Sequence, residues 1–153
     1  MSHTGWIKNR FLRDGAVSPE KLDSKMRKTI KVEYEVTADG GSTGSKTLKD
    51  LENAAAAIPA QACIIGAHYE VIVPFTASGA ATIALGYSGV TNAFKGATAF
   101  NHADYAEDSF KAATNSVPIK VTAEKSILLT IAGGTLTAGK MHIWVEYFEG
   151  SDS

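Results

Sequence analysis

The sequence predicts an all-β protein: a jelly-roll-like two-sheet sandwich, preceded by a basic N-terminal arm that contains a short helix. Two observations carry this reading. Leu occurs only 8 times whereas Ile and Val together occur 20 times, and Thr adds another 14, a balance that favours strands over helices. Six to eight short segments of alternating or β-branched residues are also separated by turn residues, the spacing of a sandwich or jelly roll. The length of 153 residues suits one domain with a core of its own. With 44% hydrophobic and 20% charged residues, the body is globular rather than disordered.

The body begins at Thr29. Ile30, Val32, Tyr34 and Val36 alternate with Lys31, Glu33 and Glu35, which predicts a half-buried antiparallel strand. Residues 38–45 form its turn or loop, and residues 46–52 suit a short strand or a helical turn. The alanines at 54–57 extend a helix that Ile58-Pro59 ends. Residues 62–73 read as a long strand stopped by Pro74, with a bulge at Gly66. A turn at Ser78-Gly79 opens a strand over 80–87, and the Gly/Thr/Asn-rich stretch 88–100 reads as loop. Asn101 or Asp104 caps a helix running to Ala113. Residues 117–122 carry Pro118 and form an edge strand, 126–131 form another, and 132–139 connect to a last strand over 140–148.

Charge divides the chain into an arm, residues 1–28, and a body, residues 29–153. The arm holds seven Lys or Arg against three acids, a net +4, while the body is net −5. Such an arm suits attachment to an acidic surface. Ser18-Pro19-Glu20 supplies an N-cap, a first-turn proline and an acid, predicting a short helix from Pro19 to about Arg27. Trp6 and Phe11 lie among Lys8, Arg10 and Arg13. Aromatics interleaved with cations can stack on nucleic-acid bases or anchor a tail in a protein groove. The segment is short and weakly charged, so a protein partner is preferred and nucleic acid is not expected. Trp6, Lys8, Arg10, Phe11 and Arg13 are the candidate partner-binding residues.

Catalytic signals are weak. Gly134-Thr135-Leu136-Thr137-Ala138-Gly139-Lys140-Met141 approximates a phosphate-binding loop, but Met141 stands where a magnesium-ligating hydroxyl is required. The residues that follow alternate as a strand, not the helix whose N-terminus would hold phosphate, so Lys140 is placed at a strand start on the surface. His3, His68, His102 and His142 lack ligand spacing, and His102 with Asp104 suits a turn. Cys63 lies on an apolar strand and reads as a core thiol; as the single cysteine it excludes an internal disulfide. Glu107 and Asp108 are adjacent and do not make an acid/base pair. The expectation is no enzyme, no metal and no cofactor. No apolar run reaches the ~20 residues of a membrane span, and residues 1–8 lack a signal-peptide segment, so a soluble protein made in a cytosol is expected.

Four segments together carry a resemblance. Ile58-Pro59-Ala60-Gln61-Ala62-Cys63-Ile64-Ile65 leads into Tyr69-Glu70-Val71-Ile72-Val73. Phe75-Thr76-Ala77-Ser78-Gly79-Ala80-Ala81-Thr82-Ile83-Ala84-Leu85-Gly86 follows, and Leu136-Thr137-Ala138-Gly139-Lys140-Met141-His142-Ile143-Trp144-Val145-Glu146-Tyr147 closes the chain. This arrangement resembles the head decoration (cement) proteins and short head-fibre proteins of tailed bacteriophages. Residues 15–23 also look like the attachment ends of phage fibres. The resemblance implies a jelly-roll-like body, frequent trimers and no catalytic site. The expected role is then a structural virion protein on the capsid surface, assembled in the host cytoplasm. It would be a homo-oligomer, with a trimer favoured, cementing neighbouring major capsid protein subunits. The alternative is a receptor- or glycan-binding fibre module, for which Tyr87, Phe94, Phe100 and Tyr105 are the candidate aromatics.

Overall fold

A computed structural model describes residues 27–52, 54, 56–113 and 118–150. The predicted helix from Pro19 lies outside the described residues except for Arg27, which opens the first strand. That strand, β1 (Arg27–Glu35), alternates as its sequence requires, with Val32 and Tyr34 fully buried. A four-residue helix, α1 (Val36–Asp39), turns the chain; Gly40 ends it at φ 83, a left-handed conformation that glycine adopts without strain. Short strands β2 (Gly44–Thr47) and β3 (Ala57–Ile58) follow. The chain then enters β4 (Cys63–Tyr87), β5 (Val90–Ala99), a 3₁₀ turn (Ala103–Tyr105), β6 (Phe110–Ala112), β7 (Ile119–Lys120) and β8 (Lys125–Phe148).

The frame is the antiparallel pair β4 and β8, of 25 and 24 residues, paired from Cys63↔Phe148 to Tyr87↔Ile127. The eight strands of the described residues join one hydrogen-bonded sheet, with β1-β8-β4-β5 as its main path. The long pair runs through both ends of that sheet. At one end β1 lies on β8 while β6 and β7 lie on β4. At the other, β2 and β3 lie on β8 while β5 lies on β4. Each end is therefore four strands wide.

Register shifts along β4 and β8 bend this ribbon. An extra residue stands before Gly66, where the sequence predicted a bulge, and further shifts fall at Val71/Val73, Val73/Thr76, Thr76/Ala77 and Gly79/Thr82. Bulges increase twist and bend the bulged strand. Pro74 sits inside one of these irregularities, between Val73↔Lys140 and Thr76↔Ala138. A missing N–H is tolerated where the ladder is already interrupted, so proline bends β4 instead of ending it. The two strands expected on either side of Ser78-Gly79 are thus one strand, and the same holds for the two expected on either side of residues 132–139.

One face of the sheet is apolar along its whole length: Ile64, Tyr69 and Val71 at one end continue as Ile83, Leu85, Leu129 and Ile131 at the other. The described helices are too short to cover it, so the curled sheet closes its two ends on one core. Each large aliphatic side chain buried there contributes about 1.5–3 kcal/mol of transfer free energy. Tyr105 joins the two ends: its ring packs on Tyr69 at 5.8 Å and on Phe75 at 6.1 Å, and its hydroxyl donates to the Ile83 carbonyl. Gly139 (φ 139) lies against the Phe75 ring, and a side chain at 139 would overlap it.

Four further expectations are corrected. Residues 88–100 are not mostly loop: Ser88-Gly89 makes a two-residue turn between Tyr87 and Val90, and β5 follows. Residues 101–113 are not a helix. Tyr105 is drawn into the core after one 3₁₀ turn, Asp108 takes φ 58, and Phe110 pairs with Glu70 on the edge of β4. The predicted alanine helix is replaced by β3 at Ala57, with Ala54 and Ala56 outside regular structure. Cys63 is half-buried, on the opposite side of β4 from its neighbours Ala62 and Ile64 in the core. The edge position expected for the Pro118 segment is found: among the described residues, β7 pairs with β4 alone.

Candidate interaction surface

The alternation that buries Val32, Tyr34, Ile143 and Val145 sends their neighbours to the outer face of the β1-β8-β4-β6 end. Register lines these neighbours into rows across the strands. Lys31 stands opposite Trp144, Trp144 opposite His68 and His68 opposite Ala112. In the next row Glu33 stands opposite His142, His142 opposite Glu70 and Glu70 opposite Phe110. Residues from four strands, distant in sequence, become one surface.

Aromatic and imidazole rings occupy its centre. Phe110 stacks on His68 at 5.5 Å with 10° between planes and meets Trp144 at 5.7 Å, while His142 meets Trp144 edge-on at 5.9 Å. Lys31 Nζ lies 5.1 Å from the Trp144 ring centre, within cation–π range. Phe110 remains 60% exposed, an arrangement that suits contact with a partner better than support of the sheet.

Charges border the rings. Glu33 accepts from Lys140 at 3.1 Å and contacts His142 Nε2 at 2.9 Å; Glu35 is 3.6 Å from the same lysine. Partial burial pushes the Glu33 carboxyl up, but the hydrogen bonds from Lys140 and His142 outweigh it and hold the group below the usual carboxylate range. Lys140 is raised, first by its hydrogen bond to Glu33. It sits within β8, not at a strand start, and residues 134–141 are strand throughout. Arg27 reaches Glu146 at 3.9 Å, and Glu70 has no ion pair among the described residues.

A second polar cluster is internal. Lys95, only 3% exposed, donates to Asp104 at 2.8 Å and lies 5.6 Å and 5.8 Å from the rings of Tyr105 and Tyr69. The Asp104 carboxyl is lowered, chiefly by that hydrogen bond. Burial pushes the hydroxyls of Tyr69 and Tyr105 up, so both stay protonated beside the lysine. This cluster holds the 3₁₀ turn to β5 and has little surface to offer a ligand.

The predicted partner-binding residues Trp6, Lys8, Arg10, Phe11 and Arg13 lie outside the described residues. His102 caps the 3₁₀ turn, accepting the Asp104 N–H at 3.1 Å, as its pairing with Asp104 suggested. Glu107 and Asp108 are exposed in a turn. Tyr87, Phe94 and Tyr105 are buried, and Phe100 packs partly buried against the core. Sequence reading missed the cluster of Trp144, His68 and Phe110, because its signal is strand register, which no local pattern contains. Among the described residues no cluster of three His, Cys, Asp or Glu is placed to hold a metal ion. No described helix is long and apolar enough to cross a membrane.

The chain matches no protein-family model and no curated protein sequence. Its fold does match solved structures. A chain from the acidic stable capsid of Helicobacter pylori bacteriophage KHP30 is similar with TM-score 0.60 and 17% identity, covering 83% of this chain and 90% of that one. A chain from the capsid asymmetric unit of cyanophage Pam1 is similar with TM-score 0.59 and 19% identity, covering 80% of this chain and 84% of that one. The expected resemblance to phage head-associated proteins is thus met at the level of fold.

Proposed function

We propose that this protein is a structural, non-enzymatic component of a bacteriophage virion that binds the capsid surface and cements neighbouring major capsid protein subunits. The observation that carries the reading is the shared fold: both similar chains come from phage capsids and are covered over most of their length. In this reading the attachment arm, expected over residues 1–28, ends before Arg27, because Arg27 and Lys28 already pair with β8 in β1. Trp6 and Phe11 fill grooves of the shell, and Lys8, Arg10 and Arg13 meet its acidic surface. The chain from Arg27 onward forms the body, and a homotrimer on the assembled head, built in the host cytoplasm, hides exposed strand edges. The receptor- or glycan-binding alternative loses support, since Tyr87, Phe94 and Tyr105 are enclosed in the core.

Mass spectrometry and cryo-EM of purified virions test this reading. The expected result is this chain bound to the outer shell at a copy number commensurate with the capsid lattice. Its absence from virions, or confinement to the tail, would overturn it.

A further inference from the structure

We propose that in the free protein residues 6–13 of the chain dock on the outer aromatic face of their own body. This goes beyond the capsid reading and stands without it. The face presents what such a segment requires. Phe110, 60% exposed, and half-buried Trp144 offer an apolar centre. Glu70 beside them has no ion pair among the described residues, Glu33 and Glu35 share Lys140, and Lys31 is committed to the Trp144 ring. Carboxylates therefore exceed available cations around an exposed ring.

Residues 6–13 are complementary: Trp6 and Phe11 with Lys8, Arg10 and Arg13, and no carboxylate. Chain geometry also allows the contact. β1 begins at Arg27, which reaches Glu146 on the border of this face. The fourteen residue-to-residue steps from Arg13 to Arg27 can span up to about 45 Å when extended. The face, from β1 across β8 and β4 to β6, is about 14 Å wide at the usual strand spacing. Tethering gives the arm a high effective concentration at its own body, which favours it over the arm of another copy. Docking also covers the exposed Phe110 ring together with Trp6 and Phe11 until a partner takes the arm.

The test uses the full chain carrying a benzoylphenylalanine cross-linker in place of Phe110. After irradiation of a mixture of normal and heavy-nitrogen-labelled protein, cross-links to residues 1–26 within chains of one label are expected. Cross-links between labels, or none to residues 1–26, would overturn the proposal. Trypsin cleavage at Lys8, Arg10 and Arg13 gives a second readout, because a docked segment is cut only when released. Phe110→Ser and Glu70→Lys are each expected to accelerate that cleavage at least about fivefold. Unchanged rates in both variants would overturn it. Loss of capsid co-sedimentation alone would retire the capsid reading and leave this contact standing.

Discussion

The Tyr105 hydroxyl donates a hydrogen bond of 2.9 Å to the carbonyl of Ile83 and is buried. Tyr105 belongs to the 3₁₀ turn between β5 and β6, its ring packs on Tyr69 at one end of the sheet, and Ile83 lies at the other end. One side chain thus fastens the two ends together. Tyr105→Phe is expected to cost about 1–2 kcal/mol, the value of one buried hydrogen bond. Tyr105→Ala, which also empties the ring's volume, is expected to cost about 3–5 kcal/mol. Urea unfolding measures both, and equal losses would show that the hydroxyl alone carries the contribution.

Asp104 and Lys95 are unequal partners. Lys95 is 3% exposed and the Asp104 side chain 33% exposed, at 2.8 Å from each other. Asp104→Asn leaves an ammonium buried between two tyrosine rings without a counter-charge, and a loss of about 3–5 kcal/mol is expected. Lys95→Met leaves a carboxylate that water reaches and a side chain of similar length in the core, so it is expected to cost less. Thermal unfolding of the two variants checks the order; a greater loss in Lys95→Met contradicts it.

Acid weakens the fold through the same contacts. The carboxyls of Glu33 and Asp104 are both lowered in the folded chain. A lowered group adds stability that is complete above its unfolded value, about pH 4, and is lost as pH falls through its folded value. For these two groups the melting temperature is therefore level from pH 7 to about pH 5 and falls below about pH 4. Melting curves of Glu33→Gln and Asp104→Asn are expected to show shallower acid slopes than the parent protein. Parallel slopes in all three would assign the acid response to other groups.

The arm is tested by binding to capsids. Arg27 and Lys28 pair with Phe148 and Tyr147, so a shortened chain that keeps the whole of β1 begins at Arg27. It is expected to remain folded and to lose capsid binding. In the full chain, Trp6→Ala is expected to weaken co-sedimentation at every salt concentration, because burial of an apolar ring is little affected by screening. Charge reversal at Arg10 and Arg13 weakens it most at low salt, where screening is least. A chain beginning at Arg27 that still pellets fully would place the capsid contact on the body.

Local pattern determined the class of this protein. The alternation of Ile30, Val32 and Tyr34 placed β1, the same period over 140–148 placed the end of β8, and Gly66 marked a bulge, because side chains alternate across a strand whatever it pairs with. Met141 and the strand around it likewise removed the phosphate-loop reading without any structure. Three-dimensional pairing decided what local pattern left open. Pro74 ends a strand in isolation, yet it lies within β4 because bulges on either side leave its missing N–H unrequired. Residues 101–113 carry helical spacing, but Tyr105 gains more from the core and Phe110 from the edge of β4 than a short helix offers. The outer face of Trp144, His68, Phe110 and Glu33 exists only through cross-strand register. Its residues come from four strands separated by up to 111 positions, from Glu33 to Trp144, and a shift of one residue would turn each to the other side of the sheet.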